Sequence, residues 1–547
     1  MPHVADHVRD RLRAWDTSFV HGASSGGAEP LLRALAEGEG PRFVTARHGA
    51  AAALMASGHA RLTGGAGCCV AGSAADAVEL AGGLLDARAE RVPVVALLCA
   101  DAGPGGLDAA DLLAPVAVHQ EVLGKPADAA DVVDRAFRAA LELRGVALVV
   151  LPPALLTADA DEPAEPEAVP GRAGWTPPLR VPDERALRRA VDVLVAGKRV
   201  LVVVGGAAGE AREAIADVTP ALGAGVVKTL AARDVFPDDL VHVTGPADGF
   251  TGGAAAALLR DCDTVLLVGD APPAGRALPL PEDVRLVQVV PPGGTAAAGA
   301  EPLPGDPAPT LTALLPLLKG APGSPDLRWR ERVNKDVTQW RGQATALARR
   351  HFGRSVNPRA VVNELSARLP ERAVVTADRG SCTTWSAHHV VLRDGMRGLS
   401  STMWEAPGAA VPFALAARLA DPDRPVIALA GDAGFQTHGI AEVAAVLREA
   451  DRTSGTAPLV FCVFTNSGIG QADPIGTTPA FRTVPDLPCA AQARLAGLDG
   501  ILCTEPKQVP AAWDEVLGRT EPVVLQFLVD ATVETEVPPV RRRLLPW

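Results

Sequence analysis

Val426 to Gln471 reads VIALAGDAGFQTHGIAEVAAVLREADRTSGTAPLVFCVFTNSGIGQ. An apolar run, Val426 to Ala430, ends in Gly431, Asp432, Ala433 and Gly434. An amphipathic stretch follows, and a second apolar run, Leu459 to Phe464, ends in Thr465, Asn466, Ser467 and Gly468. Two short apolar runs bounded by turn residues, with a helical period between them, predict a βαβ unit. The carboxyl ends of strands line the ligand crevice of an open parallel sheet. Asp432 and Asn466, 34 positions apart, are therefore expected side by side there. A carboxylate, an amide oxygen and the carbonyl of Gly468 make a hard-oxygen Mg²⁺ site that a diphosphate would complete. The same Asp and Asn also suit plain strand-end turns.

Around this stretch the chain alternates strand and helix patterns. Before position 157, strands are expected at Ser18 to Val20, Arg42 to Thr45, Gly67 to Ala71, Val92 to Cys99 and Val146 to Leu151. Helices are expected at Val8 to Trp15 and over RHGAAAALMASGHARLTG, ended by Gly64. Residues 157–183 are Pro- and acid-rich with no period, and read as a linker. A second α/β domain, 184–326, shows strands at Val200 to Gly206, Asp263 to Asp270 and RLVQVVPPGG, then a polar, Pro-rich stretch from about 301. A connecting helix occupies 327–356, running from Leu327 to about His351. The last domain, 357–547, adds strands at Ala373 to Asp378 and Pro522 to Asp530. Repeated βα units imply parallel sheets covered on both faces. The fold class is α/β, with three doubly wound parallel-sheet domains, and 547 residues is too long for a single core.

Composition narrows the function. The net charge of −12 carries no basic stripe, which argues against nucleic acid as a partner. Arg541 to Arg543 read as a solvated tail. No apolar run is long enough to span a bilayer, and the start MPHVADHVRDRLRAW has no apolar signal region, so a cytoplasmic protein with no membrane partner is expected. The eight cysteines are scattered, without metal-ligand spacing, and read as buried free thiols.

Gly-Asp-Ala at 431–433 and Thr-Asn-Ser-Gly at 465–468 resemble the Gly-Asp-Gly to Asn-Asn signature of thiamine diphosphate (ThDP) enzymes of the pyruvate oxidase and acetolactate synthase family. The resemblance covers nearly the whole chain and matches the family's PYR, middle and PP domains. It implies ThDP and Mg²⁺ as cofactors, with Asp432, Asn466 and the Gly468 carbonyl as metal ligands. Gly431, Ala433, Gly434 and Pro407 would lie in the cofactor pocket. It also implies a homodimer or homotetramer, because the family's cofactor lies between the PYR domain of one subunit and the PP domain of another. A small-molecule substrate follows from the same likeness.

The family pattern breaks at one chemically important place. A PYR-domain glutamate, in a helix beginning Arg-His-Glu, normally hydrogen-bonds the aminopyrimidine and makes the cofactor's own amino group the base. Here the segment reads Arg47, His48, Gly49, although Ala52, Met55, Ala56, Gly58, Ala60, Arg61, Thr63 and Gly64 stay in register. Glyoxylate carboligase, one branch of the family, also lacks this glutamate. A family loop of small residues is replaced by Ala74 to Glu79, a Pro-Gly turn by Ser24 and Ser25, and a Thr-Met-Gly stretch by Ala406, Pro407 and Gly408. Glu79 and Glu405 are acids where the family has none, and each reads either as a surface acid or as a replacement for the missing carboxyl. His48 and His438 are further acid–base candidates, while His388 and His389 read as packing residues.

In the middle domain Gly205, Gly206 and Gly209 form a weak nucleotide signal. The acid expected after a later strand is replaced by Val289, Val290, Pro291 and Pro292, which argues against FAD. The leading expectation is decarboxylation of a 2-oxo acid or related carbonyl compound, with carboligation or other acyl or aldehyde transfer. The alternative is a family scaffold that has given up ThDP for another reaction or a binding or regulatory role.

Overall fold

The computed structural model describes residues 2–23, 26–101, 108–160, 175–247, 253–272, 277–322, 326–351, 353–450, 455–466 and 487–533. Ser24, Ser25, Ser467, Gly468 and Arg541 to Arg543 lie outside the described residues. The chain divides into two compact units. One comprises Met1–Pro178, Trp404–Arg424 and Gly434–Ala457; the other comprises Leu179–Met403, Pro425–Ala433 and Pro458–Trp547.

The first unit is built on a six-stranded sheet: β1 (Phe19–Gly22), β2 (Arg42–Thr45), β3 (Gly67–Ala71), β4 (Val94–Leu98), β5 (Ala117–Val122) and β6 (Val146–Val150), ordered β2-β1-β3-β4-β6-β5. Every pairing is parallel. β3 and β4 are buried along their whole length, which explains their uninterrupted apolar sequences. The helix Gly49–Thr63 follows β2 and ends at Gly64, whose φ of 73° is a left-handed cap open to glycine at little cost. Two helices from the C-terminal third of the sequence, Ala410–Ala420 and Ile440–Ala450, belong to this unit. At Gly58 a Cβ would lie 3.0 Å from Phe413 Cδ1 and 3.1 Å from the Ala416 Cβ, so glycine there permits a close helix crossing.

The linker read from sequence is tied down at both described ends. Asp159 bridges His3, the amide of Val4 donates to the carbonyl of Ala158, and Trp175 meets Trp15 edge-on at 5.7 Å. The helix expected at Val8 to Trp15 begins earlier, at Val4, because Asp6 accepts the amide of His3 and closes a capping box.

The second unit holds two sheets. β7 (Val200–Val204), β8 (Gly225–Lys228), β9 (Val243–Pro246), β10 (Thr264–Val268), β11 (Arg285–Val290) and β12 (Ala300–Pro304) are ordered β12-β11-β10-β7-β8-β9. β13 (Val374–Ala377), β14 (Arg397–Ser400), β15 (Val426–Gly431), β16 (Leu459–Thr465), β17 (Asp499–Cys503) and β18 (Val523–Leu528) are ordered β14-β13-β15-β16-β18-β17, the same pattern as the first sheet. The stretch after 300, read as polar and Pro-rich, instead carries β12 and the helix Pro307–Gly320. Its prolines 307 and 309 fall in the first turn, where the missing amide costs nothing, and Leu311, Leu314 and Leu318 are buried.

Candidate functional site

The strand ends of the third sheet assemble the first group of candidates. β15 and β16 are adjacent and in step, with Gly431 opposite Phe464, so Asp432 and Asn466 emerge from neighbouring strand ends. Strand order reverses between β13 and β15, the switch point where ligands bind in open α/β sheets. Asp432 is 3 % exposed and accepts the amide of Ala433 at 2.8 Å through Oδ1. Asp378, the residue after β13, is also buried, and its amide donates to the Leu429 carbonyl at 2.9 Å. The Cys382 thiol is pushed up by burial and then by Asp378 and Asp432, which keeps it protonated.

Carboxylate and amide oxygens at adjacent strand ends are hard donors that fit Mg²⁺. Among the described residues no three His, Cys, Asp or Glu side chains gather to hold a metal by themselves. The third expected donor, the Gly468 carbonyl, lies outside the described residues.

The second group surrounds the N-terminus of the helix Gly49–Thr63, within the first unit. Glu442, on the helix Ile440–Ala450, is 2 % exposed. Its carboxylate accepts the amide of Arg47 at 3.1 and 3.0 Å and that of His48 at 2.8 Å. The Glu79 carboxylate accepts the Gly49 amide at 3.1 Å, and His48 Nδ1 accepts the Ala50 amide at 3.1 Å. The amides of His48, Gly49 and Ala50, which a helix start leaves without carbonyl partners, and that of Arg47 just before them are thus met by two carboxylates and an imidazole. Burial pushes the Glu442 carboxyl up, opposed by the amides of Arg47 and His48.

His438 lies across from this turn, its ring centroid 5.4 Å from that of His48. It is 5 % exposed, and among the described residues its Nδ1 has no hydrogen-bond partner. Burial, and then His48, lowers its pKa to about 4, so the ring is neutral at physiological pH. Gly408 closes the other side: a Cβ there would lie 3.0 Å from His438 Cδ2 and 2.9 Å from the Gly434 carbonyl oxygen. Upstream, Glu405 has φ of 60°, a conformation that costs a side-chain-bearing residue energy and that clusters at functional sites. Pro407 is exposed.

Of the residues singled out from sequence, His48, Gly49, Glu79 and His438 therefore meet in one cluster, with Pro407 and Glu405 in the turn leading to Gly408. Glu442 and Asp378 were missed. Glu442 has a sequence signal: it is an acid set among the apolar residues Ile440, Val443 and Leu447 at helical spacing, and an acid drawn into an apolar face needs a partner. Asp378 reads only as a strand end. His388 and His389 pack as expected, His388 edge-on to Trp340 at 5.2 Å, and burial lowers their pKa values to about 4 and about 3.

In the middle sheet the glycines after β7 and β10 serve each other. Gly206 bridges Asp270, a Cβ on Gly205 would lie 2.0 Å from the Asp270 carbonyl oxygen, and one on Gly269 2.0 Å from that of Gly206. This crossing sits at the switch point of that sheet.

Comparison with known proteins gives three domain matches: "Thiamine pyrophosphate enzyme, N-terminal TPP binding domain" over residues 2–105, the central domain over 187–314 and the C-terminal TPP binding domain over 378–527. Similar curated proteins include a thiamine pyrophosphate-containing protein of Bacillus subtilis, 23 % identical over 95 % of this chain and 91 % of that protein. The pyruvate oxidase of Lactiplantibacillus plantarum is 26 % identical over 77 % of this chain and 71 % of its own length. The acetolactate synthase large subunit of Corynebacterium glutamicum is 28 % identical over 78 % of this chain and 70 % of its own length.

Proposed function

The chain belongs to the thiamine pyrophosphate enzyme family, and from that premise we propose that it acts with ThDP and Mg²⁺ on a 2-oxo acid or related carbonyl substrate, by decarboxylation with carboligation or other acyl or aldehyde transfer. When bound, the cofactor supplies a carbon nucleophile and an electron sink. Asp432 and Asn466, with the Gly468 carbonyl, would hold the metal and through it the diphosphate. Glu79 replaces the acid missing at position 49, and the neutral His438 with His48 accepts and returns protons in the same cluster.

The observation that carries this reading is the Glu79 carboxylate 3.1 Å from the Gly49 amide. An acid from the neighbouring helix stands beside the backbone that normally bears one. Glu405 is the second candidate for that role, supported by its strained backbone. The test is hydrogen–deuterium exchange at the thiazolium carbon, which needs no knowledge of the substrate. Glu79→Gln slows exchange by about 100-fold, within the range of general acid–base contributions; exchange at the wild-type rate removes Glu79 from the mechanism and leaves Glu405→Gln as the variant to measure.

The middle domain works without FAD in this reading, supported by the main-chain crossing of Gly206 and Asp270 at its switch point. A homodimer or homotetramer in the cytoplasm completes the proposal. Among the described residues no helix is long and apolar enough to cross a membrane.

A further inference from the structure

We infer that Glu442 is a positioning residue: its carboxylate holds the Arg47–His48–Gly49 turn so that Glu79 and the His48–His438 pair are fixed around one point. The inference rests on the ThDP reading above. It starts from the price of placing a carboxylate where it is 2 % exposed. Such a group is unfavourable unless its oxygens are engaged, and here both oxygens take backbone amides of a turn 394 and 395 positions away in sequence. Charge-assisted bonds of this kind are short and directional.

The amides concerned are consecutive with the one that Glu79 holds. Moving the Arg47–His48 backbone therefore moves the Gly49 amide and the acid bound to it. It also moves the His48 ring, which is fixed from the other direction by the Ala50 amide. Among the described residues nothing hydrogen-bonds His438 Nδ1, and its ring packs between Gly408 on one side and His48 on the other. Glu442 is bonded to the groups assigned to proton transfer through the His48 backbone amide, which makes its role one of position.

The variants are Glu442→Ala, which frees the turn, and Glu442→Gln, which keeps one acceptor oxygen but turns an amide toward an N–H donor. Two readouts separate position from stability. In ThDP-free protein, diethyl pyrocarbonate modification of His438, located by mass spectrometry, is slow in wild type, faster in Glu442→Gln and fastest in Glu442→Ala. With Mg²⁺ present, calorimetry gives a dissociation constant for ThDP raised about tenfold in Glu442→Ala, the size expected for losing a hydrogen bond to a charged group, and less in Glu442→Gln. Wild-type histidine protection and wild-type ThDP affinity in folded Glu442→Ala, or in Glu442→Gln if the alanine variant does not fold, overturn the inference. Failure of the wild type to bind ThDP overturns the proposed function instead, and histidine protection then still decides the role of Glu442.

Discussion

At Gly49 a Cβ would lie 2.7 Å from the Glu79 Cβ and 2.8 Å from both the Glu79 carbonyl carbon and the Leu80 nitrogen. The missing glutamate is thus excluded by the packing of the helix Ala74–Ala89, two of whose contacting atoms are backbone. Gly49→Ala is expected to cost about 1–3 kcal/mol through overpacking, and Gly49→Glu at least as much with no gain in turnover. Urea unfolding of both variants checks this; wild-type stability together with faster turnover in Gly49→Glu would contradict it. Glu442 gives a second test at this scale. Burial raises its pKa above the ordinary 4.5, so burial costs the ionised carboxylate more than the amides of Arg47 and His48 return. Its contribution to stability is full below pH 4.5 and declines as pH rises through the raised value. Relative to Glu442→Gln, wild type therefore loses stability as pH rises above 4.5, and a difference that grew in the other direction would contradict the assignment.

Among the elements, the loop from Leu230 to Asp238 is held by a cation with no exposed surface. Lys228, at the end of β8, donates to the carbonyls of Arg233 and Phe236 and to Asp238 Oδ1 at 2.6–2.8 Å. The other Asp238 oxygen accepts the Leu392 amide, and Arg233 donates to Ser386, so this loop joins the middle sheet to the helix and turn beside β14 within the second unit. Lys228→Met leaves Asp238 buried without its counter-charge and is expected to cost about 3–5 kcal/mol, most of it recovered in Lys228→Met/Asp238→Leu. Denaturant midpoints of the two variants test the pair, and equal losses in both would refute it.

Which elements were legible from sequence follows from burial. The apolar runs at β3, β4, β7, β10, β15, β16 and β18 stand out because both faces are covered. β5, β8, β9, β12, β14 and β17 escaped; all but β8 are edge strands, and β8 is a four-residue strand that ends in the charged Lys228. β5 is AVHQEV and β17 is DGILC, each half open to solvent, so neither presents an apolar run. The site divides in the same way. The strand-end places of Asp432 and Asn466 were legible because β15 and β16 are central strands, whereas Glu442 acts through backbone amides and leaves in the sequence only the signal of an acid beside apolar residues.

On the scale of the whole molecule, the buried His21, His389 and His438 and the half-buried His388 set the acid limit. His21 and His389 are lowered from 6.5 to about 3, and His388 and His438 to about 4, mainly by burial. Each keeps its neutral form in the fold, so its contribution is present above pH 6.5 and lost as pH falls toward the folded value, at about 1.4 kcal/mol per pH unit. The melting temperature is expected to fall steeply between pH 6.5 and 4; a flat profile over that range would show that these rings protonate in place. The first and third sheets share one strand order, and the domain matches span both, so the scaffold belongs to ThDP chemistry. That this chain's altered cluster serves the same chemistry is tested most directly by calorimetric titration with ThDP, with and without Mg²⁺, on wild type and Asp432→Ala. The account predicts saturable binding to wild type that disappears when Mg²⁺ is withheld and in Asp432→Ala. Absence of saturable binding, or binding indifferent to both the metal and Asp432, would contradict it.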